Sequence, residues 1–61
     1  MENSYAVSSG VWKIEQDTKT LGIVLLKYGA EVEKWKGERL YTWEELHDIL
    51  LRESYKRRGE K

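Results

Sequence analysis

The sequence predicts an α+β domain in which a three-stranded antiparallel β-meander is followed by one C-terminal amphipathic α-helix packed on one face of the sheet. Three observations carry this. Trp12 and Ile14 alternate with Lys13 and Glu15, the period-two pattern of a half-buried strand. Leu21 to Tyr28 is rich in branched apolar residues on both parities, as in a strand covered on both sides. Thr42 and Glu45 have the spacing of a helix capping box, and the residues after them repeat apolar positions every three to four.

Taken in order, residues 1–10 are small and polar apart from Tyr5, Ala6 and Val7, and read as a mobile arm. Strands are expected over 11–16, 21–28 and 31–36. Asp17 to Thr20 forms the first connection, and Gly29-Ala30 forms a two-residue hairpin with glycine at its first position. The third strand has a competitor: Ala30 to Lys36 also fits a short helix, with Val32 and Trp35 three apart and Gly37 as its stop.

The helix is expected over 42–57. In the capping box each side chain satisfies a backbone donor at the other's position, and Tyr41 can reach Leu46 as a hydrophobic staple. Acidic Glu44, Glu45 and Asp48 lie early and basic Arg52, Lys56, Arg57 and Arg58 late, as the helix dipole prefers. Glu53 and Arg57 are spaced to pair along the helix, and Gly59 ends it.

Composition narrows the function classes. A chain of 61 residues forms one domain over 1–61, and so small a core invites a staple, for which oligomerisation remains once disulfides are excluded by the absence of Cys. No cofactor or metal is expected, because His47 is the only imidazole and no carboxylate cluster stands out. Eleven Lys and Arg balance eleven Asp and Glu, so the field that would draw in nucleic acid or an anionic membrane is weak. The longest apolar run, Ile23 to Leu26, is far short of a membrane span, and a cytoplasmic location is expected. No enzyme is expected either. His47 lacks a nucleophile and orienting carboxylate at matching spacing, and the five glycines form no phosphate loop.

The candidate function lies in what the helix leaves open. Pairing Gln16 with Leu21, Ile14 with Ile23 and Trp12 with Leu25, then Lys27 with Val32 and Val24 with Trp35, puts Trp12, Ile14, Leu21, Ile23, Leu25 and Val32 under a helix stripe of Trp43, Leu46, Ile49 and Leu50. The opposite face then carries Val11, Val24, Leu26, Tyr28 and Trp35, an apolar and aromatic patch expected to bind a protein partner or a second copy, as a dimer. The arm, through Tyr5 and Val7, is the competing cover. His47, Leu51 and Tyr55 form a second stripe on the helix flank, which Leu40 or the arm can cover. The alternative function is nucleic-acid binding, with Tyr28 and Trp35 stacking bases and Lys56, Arg57 and Arg58 meeting phosphates. Glu15, Glu31 and Glu33 oppose it. A small-molecule substrate is not expected.

Overall fold

A computed structural model of the protein describes residues 4–58, without the Arg58 side chain. Four strands, β1 (Ser4–Ser9), β2 (Trp12–Asp17), β3 (Gly22–Lys27) and β4 (Ala30–Lys36), are followed by one helix, α1 (Trp43–Arg58). The strands pair antiparallel in the order β1-β2-β3-β4. The meander and C-terminal helix are as expected, but the sheet has four strands instead of three. The segment expected as an arm supplies β1, whose Val7 pairs with Ile14 and Tyr5 with Gln16. Its Tyr5, Val7 and Ser9 alternate with Ser4, Ala6 and Ser8, a period-two pattern masked by the small residues around it. Residues 30–36 are strand, and the Gly59 helix stop lies outside the described residues.

The β2–β3 register runs two residues beyond the expected one, with Gln16 opposite Ile23, Ile14 opposite Leu25 and Trp12 opposite Lys27. Six residues, 17–22, now separate the last paired residues Gln16 and Ile23, where four were expected between Gln16 and Leu21. Asp17 Oδ1 accepts from the backbone N–H groups of Lys19 and Thr20 at 2.7 and 2.9 Å, and the Leu21 N–H donates to the Asp17 carbonyl at 3.0 Å. Leu21 takes a left-handed φ of 64°, which removes it from the strand. A shift of two preserves the faces, so Trp12, Ile14, Ile23 and Leu25 still share one side.

The second hairpin departs further. Its central residues are Tyr28 and Gly29, both with positive φ (55° and 81°), as a type I′ turn demands. Lys27 therefore faces Ala30 and Leu26 faces Glu31; beyond a bulge, Leu25 faces Glu33, Val24 faces Lys34 and Ile23 faces Trp35. Val32 is the extra residue of that bulge. One inserted residue reverses the face of everything after it, so Trp35 moves to the helix side and Val32, expected in the core, is exposed.

The helix packs on β1 and β2. Trp12, Ile14, Ile23, Leu25, Leu46 and Leu50 form the buried core, with Val7, Trp35, Tyr41 and Ile49 against it. Burying each large aliphatic side chain fully contributes about 1.5–3 kcal/mol. Trp43, expected in the covering stripe, is instead 68% exposed. It occupies the first helical position, where the chain is still arriving from the sheet edge and its side chain does not overhang the core.

That arrival is organised by Gln16. Its fully buried carboxamide donates to the carbonyls of Arg39 (2.8 Å) and Leu21 (3.3 Å) and accepts from the Tyr41 N–H (2.9 Å). One side chain thus ties β2 to the loop before β3 and to the crossing segment before α1. A buried amide so satisfied stabilises one path for the chain, whereas an unmet one costs about 1–3 kcal/mol.

Candidate interaction surface

The helix begins with the expected capping box. The Glu45 N–H donates to Thr42 Oγ1 at 3.1 Å, and the Thr42 N–H donates to Glu45 Oε1 at 2.9 Å. Arg39 adds a fork, its two terminal nitrogens donating to the two Glu45 oxygens at 3.0 and 2.7 Å. That guanidinium and the Thr42 amide hold the Glu45 carboxyl down at about 2, and the same hydrogen bonds raise the Arg39 pKa. Arg39 also stacks over the Tyr41 ring, 4.6 Å from its centroid. The first turn of α1 is therefore anchored, and Trp43 projects from a fixed base.

Around Trp43 lie two open grooves. One is lined by Tyr5, Leu40, Tyr41, Thr42 and Trp43, the other by Val7, Trp43, Glu44, His47 and Asp48. Both run between the outer strand β1 and the helix. Trp43 is followed at intervals of four by His47, Leu51 and Tyr55, which line up along one helix flank. All four are exposed, Leu51 at 36% and Tyr55 at 65%. The flank stripe expected at His47, Leu51 and Tyr55 is thus one residue longer and exposed, and the segment 4–9 expected as part of its cover is paired into the sheet.

The two edges of the sheet differ. β4 ends the sheet with a bulge and with Glu31, Glu33, Lys34 and Lys36, features that discourage pairing with another strand. β1 has the sequence Ser-Tyr-Ala-Val-Ser-Ser, without a charge, a proline or a bulge. Its outer backbone groups are a template for a further strand.

Of the five residues expected to form a partner-binding face, Trp35 is placed away from the others. Val24 and Leu26 lie on the face away from the helix, half-buried, beside a Lys13–Glu15 ion pair of 3.1 Å. Val11 and Tyr28 sit in the turns at one end of the sheet, where the Tyr28 N–H donates to the Val11 carbonyl at 2.9 Å. Tyr28 is 78% exposed. Trp35 is on the helix side. Of the basic cluster, Arg57 pairs with Glu33 of β4 and Glu53 of its own helix, Lys56 approaches Glu53 at 3.9 Å, and the Arg58 side chain lies outside the described residues. The exposed Trp43 was missed because helical spacing assigns it to the core stripe; its place beside the cap was the available signal.

Among the described residues, no three His, Cys, Asp or Glu side chains are grouped to hold a metal, and no helix is long and apolar enough to cross a membrane. No protein-family model, curated protein or solved structure matches the chain.

Proposed function

We propose that the protein is a small non-catalytic protein-binding module whose contact surface is the β1 edge together with Tyr5, Leu40 and the Trp43 to Tyr55 stripe. The observation that carries this reading is the exposure of Trp43 beside an unguarded edge strand. A large apolar side chain left mostly in solvent contributes little to folding and is well suited to a partner's pocket. Edge pairing supplies affinity through the backbone and the aromatic side chains supply selectivity. The face carrying Val24 and Leu26 is a weaker candidate, since its apolar residues are half-buried among charged neighbours.

The competing nucleic-acid reading loses support at both its elements. Trp35 packs on the core side, away from Tyr28, and Arg57 is neutralised by two carboxylates. Titration of labelled single- and double-stranded oligonucleotides at low salt separates the two. The protein-binding reading expects no binding tighter than the millimolar range. Micromolar binding that weakens steeply with salt and is reduced by Arg57→Ala would establish the competitor.

A further inference from the structure

Building on the protein-binding reading, we infer that the occupant of this surface is an extended segment of a different protein, added to β1 as a fifth strand, that sets a Lys or Arg side chain against Glu44 and Asp48 and, two residues away, an apolar side chain in the groove between Tyr5 and Trp43. Strand spacing and groove chemistry both support this occupant.

Tyr5, Val7 and Ser9 lie on the helix side of β1, opposite Gln16, Ile14 and Trp12. Tyr5 lines one groove and Val7 the other, and Trp43 is shared by both. A strand added at the edge would run about 4.8 Å outside β1, with alternate side chains on the helix side about 7 Å apart. Tyr5 and Val7 have that same spacing. Two successive helix-side residues of the added strand therefore enter the two grooves, one on each side of Trp43.

The grooves differ in chemistry. The one lined by Tyr5, Leu40, Tyr41, Thr42 and Trp43 carries no charged side chain and suits an apolar residue. The other sets Glu44 and Asp48 beside Val7, His47 and Trp43, and no Lys or Arg lines it. Both carboxylates are exposed, and among the described residues neither makes an ion pair or a side-chain hydrogen bond. Asp48 also borders a groove that holds Arg39 and Arg52, yet pairs with neither. A Lys or Arg can lay its methylene stem along Val7 and the Trp43 ring while its cation meets the two carboxylates. An acidic segment or a phosphate would meet like charge at the same place.

The same chemistry argues against a second copy. Its β1, Ser-Tyr-Ala-Val-Ser-Ser, would bring no cation to Glu44 and Asp48.

The test is selection of binders to the full chain from a random-peptide display library, followed by titration of the leading sequence as a synthetic peptide. Selected sequences are expected to share a Lys or Arg two positions from an apolar residue. Trp43→Ala should weaken binding about tenfold or more, as an interface anchor does. Glu44→Gln combined with Asp48→Asn should weaken it about threefold or more and flatten its salt dependence, since exposed ion pairs are individually weak and screened. Helical circular dichroism should be unchanged in both variants. Replacing the peptide's basic residue by Gln tests the same contact without altering the fold, and its loss should not add to that of the double variant. Selected peptides without a basic residue, or losses that add in full, overturn the inference and leave the protein-binding reading intact. A library that yields no binder also overturns it and leaves a folded partner for that reading. Self-association in sedimentation velocity that Trp43→Ala abolishes would put a second copy there instead, whereas oligonucleotide binding would remove the protein-binding reading whatever the library yields.

Discussion

Gly37 lies against the carboxamide of Gln16 with no room for a side chain. A Cβ at residue 37 would stand 2.7 Å from Gln16 Nε2, 2.9 Å from the Leu21 carbonyl and 3.1 Å from Ile23 Cδ1, and the Gly37 N–H donates to that same carbonyl at 2.8 Å. Gly37→Ala is therefore expected to destabilise the fold by about 1–3 kcal/mol through overpacking, outweighing the entropy an alanine saves in the unfolded chain. Chemical denaturation with tryptophan emission as the signal checks this. An unfolding midpoint at or above the parent's would show that Gln16 can withdraw at little cost.

Gln16→Leu keeps the volume of the side chain but leaves the Tyr41 N–H and the Arg39 carbonyl without their partner. The expected loss is about 1–3 kcal/mol for each group that finds no water. The segment 37–42 should lose amide protection before the strands do. Equal protection in variant and parent would mean that the helix is positioned by apolar packing alone.

Acid should loosen the helix start. The Glu45 carboxyl titrates at about 2 in the folded chain against an ordinary 4.5, so its contribution is fully present above about pH 4.5 and is lost as pH falls toward 2. Asp17, lowered by its Thr20 and Lys19 amide hydrogen bonds, acts in the same direction. The thermal midpoint of the parent is expected to fall over that window and that of Glu45→Gln to fall less. Parallel curves for the two would assign acid sensitivity to other groups.

Trp43→Ala should change stability by less than about 1 kcal/mol, because the side chain is mostly in solvent already, where a buried tryptophan would cost about 3–5 kcal/mol. A loss in the larger range would return Trp43 to the core.

The sequence made some of this architecture legible and not the rest, for physical reasons. The capping box was readable because Thr42 and Glu45 act locally, and the alternation around Ile14 was readable because a strand against one helix must be two-faced. β1 was not, since Ser4, Ala6 and Ser8 are too small to mark a face and its order comes from pairing with β2. The position of Trp35 was hidden by two events that sequence periodicity does not signal, a turn placed on Tyr28 with a left-handed backbone and a bulge at Val32. The surface around Trp43 was obscured in turn, because β1 had to be recognised before an edge beside the helix could exist.

Amide exchange across β1, followed by NMR with and without the selected peptide, tests most directly whether this edge is a contact surface. Protection of amides within Ser4–Ser9 is expected to rise on binding while Ala30–Lys36 at the other edge stays as it was. Protection unchanged at β1, or gained at β4 instead, would contradict the account.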